Sequence, residues 1–269
     1  MSATTRVSIL RVSDRGDNQI EQFDDLVAVD RPLEICVDKR LLGSFWITQG
    51  MEIELAVGHL LASGIIESVS EIDDITQRDS EISLRLSVDR TVRLEASQTQ
   101  RTITTSSGSV SSSPNLLDRI GAPRVESDLR IDGAAVLRMA EELNRRSETF
   151  RETGGTHSAM ICTEDGEVLA HAEDVGRHNA VDKVIGAIAR QGNRFSECVL
   201  VSSGRQSYEM VSKAARVGIP VVISQAGPLK SGIDVAEEVG ITLVCFARGK
   251  RFNVYTHRNR VIFESTARA

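Results

Sequence analysis

A chain of 269 residues, 41% hydrophobic and 26% charged, can bury one large core or two modest ones. Its formal net charge of -6 argues against general nucleic-acid binding, while leaving room for a local basic patch that holds an anionic ligand. The N-terminal MSATTRVSILRVSD has no apolar h-region, and no segment approaches the roughly 20 apolar residues of a membrane span, so the cytoplasm is the expected home.

In chain order, residues 27–48 read as a hairpin with a turn around Asp38–Arg40, Pro32 marking a strand start or an edge. Glu52 to Ser63 reads as a helix with Ile53, Val57, Leu60 and Leu61 on one stripe and Gly64 as its stop. ISLRLSV (82–88) and TVRLEA (91–96) alternate around Asp89-Arg90 and suggest a second hairpin. In TITTSSGSVSSS (102–113) nine of twelve residues are Ser or Thr, a composition with almost nothing to bury and the reading of a loop.

From Asp132 the period lengthens. AAVLRMAEELNRRSETF (134–150) is an amphipathic helix that Asp132 can cap, and Asn179 to Arg190 is another, with Val181, Val184, Ile185 and Ile188 on one face. Helices at 206–217 and 231–239 end at Gly218 and Gly240. Between them run HSAMIC, CVLVSS, PVVISQ and TLVCFA, short apolar strands of the buried kind. The expected division is a β-rich α+β domain over 1–101, a loop and linker over 102–130, and a three-layer α/β domain over 131–269. Cys36, Cys162, Cys198 and Cys245 all lie in apolar runs and form no C-x-x-C pair, which reads as reduced core thiols.

Each apolar strand of the second half meets a polar, glycine-bearing loop: GGTHSA (154–159), EDVGRHNAVDK (173–183), SSGRQSYEM (202–210), SQAGPLKSG (224–232) and FARGKRFNVYTH (246–257). Open α/β sheets bind ligands beyond the carboxyl ends of their strands, so several such loops suggest one assembled site. Arg248, Lys250 and Arg251 flank Gly249, whose lack of a Cβ lets backbone amides approach a phosphate; a solvated turn is the alternative. Gly204-Arg205-Gln206-Ser207 opens a helix with free N–H groups, serving an anion or an ordinary cap. In Gly227–Ser231 a cap alone is favoured, Ser231 and Asp234 resembling a capping box. Asp174, Arg177, His178, Asn179, Asp182 and Lys183 crowd one junction, which fits a pKa-tuned site or a buried ion-pair network. His157 shares that ambiguity; His59 and His257 read as structural.

These same loops, with RPLEICV and the helix ELAVGHLLASGII, resemble the formate dehydrogenase accessory protein (FdhD) family, and the resemblance covers most of the chain. It implies a core like that of cytidine deaminase and binding of bis-molybdopterin guanine dinucleotide, the guanine-bearing molybdenum cofactor. It further implies a homodimer, sulfur transfer from a cysteine desulfurase to that cofactor, and the formate dehydrogenase catalytic subunit as client. Phe246, Ala247, Arg248, Gly249, Lys250 and Arg251 match the family's cofactor-binding segment, with Gly204, Arg205, His178 and Asp174 as further candidates. Tyr208 and Phe246 are candidates to stack on guanine, with core packing as the competing role.

One departure is large. The family carries a C-G-x-C-type motif after its first domain, and those positions fall near Gly108 and Ser111 here. A persulfide carrier needs a thiolate with a pKa near ambient pH, which glycine and serine do not supply. A chaperone that holds the cofactor or the apo-enzyme without moving sulfur is therefore the rival reading. A zinc deaminase is excluded by Arg177-His178-Asn179 and Arg205-Gln206-Ser207 where its ligands would stand, and a nucleotide-binding enzyme without zinc remains.

Overall fold

The computed structural model describes residues 3–14, 18–95 and 124–263. Gly108 and Ser111 lie outside the described residues. The protein is mixed α/β. Its main sheet has six strands in the order β13-β12-β11-β10-β8-β9, formed by β8 (His157–Cys162), β9 (Val168–Asp174), β10 (Val199–Ser202), β11 (Val221–Ser224), β12 (Thr242–Arg248) and β13 (Arg251–Val254). β10, β11 and β12 run parallel, while β8 and β9 are antiparallel additions on one side.

Alternation along these strands divides two apolar faces, as a period of two requires. Ala159, Ile161, Leu200, Val222 and Leu243 face a core shared with α4 (Arg177–Gln191), α5 (Tyr208–Val217) and α6 (Lys230–Val239). Met160, Val199, Val201, Ile223 and Val244 face α2 (Gly133–Arg146), through Val136, Met139 and Leu143. The result is three layers, helix on sheet on helix.

The first half adds a four-stranded sheet in the order β4-β3-β6-β5, from β3 (Arg31–Val37), β4 (Arg40–Ile47), β5 (Ile72–Arg78) and β6 (Glu81–Leu86). The hairpin expected over 27–48 is β3–β4, with Asp38 and Lys39 at positive φ in its turn. Pro32 pairs with Trp46, two residues ahead of the point where β6 joins β3, so the ring blocks no ladder bond. Helix α1 (Glu52–Ala62) covers this sheet and packs on α4. That crossing depends on two glycines: a Cβ on Gly58 would overlap the Asp182 carbonyl, and one on Gly186 would overlap the Glu54 carbonyl. Apolar residues of both halves consequently belong to one core cluster.

Three expectations change and one element was not foreseen. The hairpin over 82–96 does not form: β6 pairs with β5 and β3, and 91–95 is helical. The helix over 134–150 is two, because Ser147, at ψ 68, separates α2 from α3 (Glu148–Thr153) and turns its hydroxyl onto Leu143 O and Ser158 Oγ. The Asp132 cap is present, accepting from Ala134 N at 3.2 Å. The capping box at Ser231 is absent; α6 begins at Lys230 after Leu229, and Asp234 pairs with Lys230 instead. Finally, β1 (Thr4–Asp14) and β2 (Asn18–Ala28) form an antiparallel ribbon that the polar composition of the N-terminus did not announce.

Candidate functional site

The ends of β10, β11 and β12 lie at one edge of the main sheet. Antiparallel pairing brings the start of β8 and the end of β9 to the same edge, since Ser202 sits beside Ala159 and His157 beside Asp174. The loops beyond the strands are stitched together. Gln206 N donates to Gly227 O at 3.2 Å, and Leu229 N donates to Gln206 O at 2.9 Å. Phe246 N donates to Ala226 O at 3.1 Å, and the Phe246 ring lies against Gly227, where a Cβ would come within 2.8 Å of it. Phe246 holds φ 55 at a bulge in β12, a left-handed conformation that is strained for a non-glycine residue and turns the chain toward Arg248.

This brim is rich in unpaired positive charge. Among the described residues Arg177, Arg205, Arg248, Lys250 and Arg251 have no acidic partner; the Arg248 guanidinium rests 5.9 Å from the centre of the Phe246 ring. Gly249, at φ 62, leaves open space where a side chain would stand. At the N-termini of α4, α5 and α6 the cap residues Gly176, Ser207 and Leu229 make no side-chain cap hydrogen bond, and Glu209 in the first turn of α5 accepts from the Ser207 hydroxyl. The arrangement suits phosphate groups: cations and glycine at the hairpin tip, helix N-termini beside them.

Within the crowded junction at 173–183, Asp174, Asn179, Asp182 and Lys183 form a buried ion-pair network. Asp174 is fully buried and pairs with Lys183 Nζ at 2.7 Å. Its Oδ1 accepts from Gly176 N at 2.9 Å and from Asn179 Nδ2 at 2.8 Å, while Oδ2 accepts from Thr48 N at 3.1 Å. Lys183 also donates to Thr48 O at 2.7 Å. Asp182 pairs with Lys213 and with His59 Nδ1, the latter at 2.9 Å. Burial alone would raise the Asp182 pKa; Lys213 and His59 outweigh it and hold the carboxyl below its usual value. Thr48 and His59 belong to the first half, so these charges bolt it to the second.

Of the residues singled out in the sequence, Gly204, Arg205, Phe246 and Arg248 therefore meet along the brim, with Ala247 buried beneath them. Tyr208 and Phe246 both pack against the large core cluster. His157 lies at the brim 3.4 Å from Ser203 Oγ, and its pKa is lowered by burial and by Arg177 and Arg205. His178 is pushed down to about 4 by burial, Lys213 and Arg177, so it is neutral at pH 7 and adds no charge for a phosphate. His257 Nε2 bonds to Glu237 O at 2.9 Å, well away from this chemistry. Sequence reasoning passed over Thr48 and Lys213. The one signal for Lys213 was a lysine interrupting the apolar run Met210, Val211, Ala214.

None of the cysteines resembles a sulfur carrier. Burial pushes Cys162 and Cys245 up to about 12 and Cys198 to about 11. Cys36 is raised by burial and by Glu81 and Glu34. A thiol needs both thiolate character and access to react. Brief treatment of the native protein with iodoacetamide at pH 7.5 should therefore leave Cys162, Cys198 and Cys245 unmodified by peptide mass mapping, and denaturation should expose all three. Rapid native labelling of any of them would contradict this account of the core.

A three-layer α/β core with a cation-rich sheet edge is the class of protein that the fold and the brim define. Residues 28–262 match the FdhD/NarQ family model, and the chain belongs to that family. A protein of Sulfolobus acidocaldarius called sulfur carrier protein FdhD is 35% identical over 254 residues, covering 94% of this chain and 97% of that one. One of the same name from Methanothermobacter thermautotrophicus is 34% identical over 263 residues, with 97% and 100% coverage. The crystal structure of a formate dehydrogenase accessory protein from Desulfotalea psychrophila, so described as putative, superimposes with a TM-score of 0.79 at 25% identity, covering 97% of this chain and 100% of that one. Among the described residues no helix is long and apolar enough to cross a membrane.

Proposed function

We propose that this chain is an accessory protein of formate dehydrogenase maturation that binds bis-molybdopterin guanine dinucleotide at the sheet-edge brim and holds it without carrying sulfur on a cysteine of its own. The observation that carries this reading is the set of cations without an acidic partner among the described residues, Arg177, Arg205, Arg248, Lys250 and Arg251, gathered with three helix N-termini that lack a side-chain cap. Relatives named as sulfur carriers and a structural neighbour described as an accessory protein support the pathway. The absence of cysteine near Gly108 and Ser111, with the remaining thiols buried and basic, favours a holding role over a carrying one.

The residues present fit the cofactor's chemistry. Arg248, Lys250 and Arg251 hold its phosphates, Gly249 permits their close approach, and Phe246 supplies an aromatic face. The bound cofactor would supply the metal-dithiolene chemistry of the client enzyme; this chain contributes binding and orientation. The reading places the protein in the cytoplasm as a homodimer on a cytidine deaminase-like core, with the formate dehydrogenase catalytic subunit as recipient. A cysteine desulfurase would then act on the held cofactor through some thiol that this chain does not provide.

Guanosine diphosphate tests the site. It should bind better than adenosine diphosphate by calorimetry. Arg248→Ala with Arg251→Ala removes charge-assisted bonds worth on the order of 1.5–3 kcal/mol each, which should weaken binding by at least about tenfold. Equal affinity in the double variant and the parent would place the phosphates elsewhere.

A further inference from the structure

Gln206 is 0% exposed, and its Oε1 has no hydrogen-bond partner. The orientation of the amide is fixed by its other end: Nε2 donates to Gly204 O at 2.9 Å, and a flipped amide would set two acceptors against each other. Gly204 O also accepts from Ser224 Oγ at 2.8 Å, so the floor beneath Gln206 is already ordered. An orphan acceptor in an otherwise bonded loop is costly to bury and calls for a donor that is absent from the chain itself.

The surroundings indicate what that donor is attached to. Gln206 pairs along its backbone with Gly227, Gly227 carries the Phe246 ring, and Phe246 leads to Arg248. The brim thus has a buried amide oxygen at one end, an aromatic ring in the middle and unpaired cations at the other. Beside Gln206, the stem of Arg177 lies on Gly204, Arg177 Nε is itself without a partner, and this half-buried side chain makes no ion pair among the described residues.

We propose that Gln206 Oε1 is the group that reads the nucleobase, accepting from the N–H edge of guanine (N1 and the exocyclic 2-amine) while Phe246 flanks the ring and the 248–251 hairpin holds the phosphates. Adenine offers no N–H at the matching ring nitrogen and no 2-amine, so a lone acceptor in this position selects guanine. The assignment rests on the functional reading above and sharpens it, since phosphate contacts alone cannot tell one base from another.

The experiment compares guanosine, inosine and adenosine diphosphates by calorimetry on the full chain and on Gln206→Leu. Inosine lacks only the 2-amine. The parent should bind the guanosine form about tenfold more tightly than the inosine form, the size expected for one hydrogen bond to a buried acceptor. Gln206→Leu should erase that difference by weakening both forms, the guanosine form more, because inosine keeps its N1–H. Equal affinity of the parent for guanosine and inosine diphosphates, or full discrimination kept by Gln206→Leu, would overturn the assignment while leaving the phosphate site intact. If Gln206→Leu does not fold, the parent's guanosine-to-inosine ratio alone decides. Failure of the parent to bind any of the three would overturn the site and this assignment together.

Discussion

Asp174→Ala is expected to destabilise the protein by about 3–5 kcal/mol, the cost of leaving one half of a buried ion pair without its partner. The substitution strands the Lys183 ammonium, which is 1% exposed, and removes the acceptor for Thr48 N, Gly176 N and Asn179 Nδ2 together. Urea denaturation gives the loss directly. Adding Lys183→Met should return a large share of it, because an apolar side chain of similar length removes the uncompensated charge. If the junction were instead a ligand-contacting site with little structural duty, Asp174→Ala would melt close to the parent and lose only binding.

Gly186→Ala is expected to cost about 3 kcal/mol or more, at the upper end for overpacking in a core. The added methyl would overlap the Glu54 carbonyl in the neighbouring helix, and neither backbone can yield without separating α1 from α4. Gly58→Ala meets the Asp182 carbonyl in the same way and should behave alike. A helical Gly→Ala change normally stabilises, so the sign itself is diagnostic. A raised melting temperature in either variant would mean that the two helices do not cross as closely as described.

The parallel strands and their helices were legible because each buries a continuous apolar run or a stripe at the helical period. The loops of the brim were legible for the same reason, as the polar punctuation after each run. Asp174 and Lys183 were visible as a cluster of charge, but choosing between a site and a network needed Thr48, 126 residues away from Asp174 in the chain. Strand pairing was the weakest reading. TVRLEA alternates like a strand, yet β6 already has partners on both sides and the segment turns helical. The strained Phe246 and the orphaned Gln206 oxygen left no trace in composition or period, because both arise from how three separate loops meet.

The account turns on whether this chain holds the cofactor without loading sulfur on itself. The direct test is to incubate the purified protein with a cysteine desulfurase and cysteine and weigh the intact chain by mass spectrometry under non-reducing conditions. The expected spectrum shows the unmodified mass, with guanosine diphosphate still bound in a parallel titration. Sulfur stably added to Cys36, Cys162, Cys198 or Cys245 would contradict the account and identify that cysteine as the carrier.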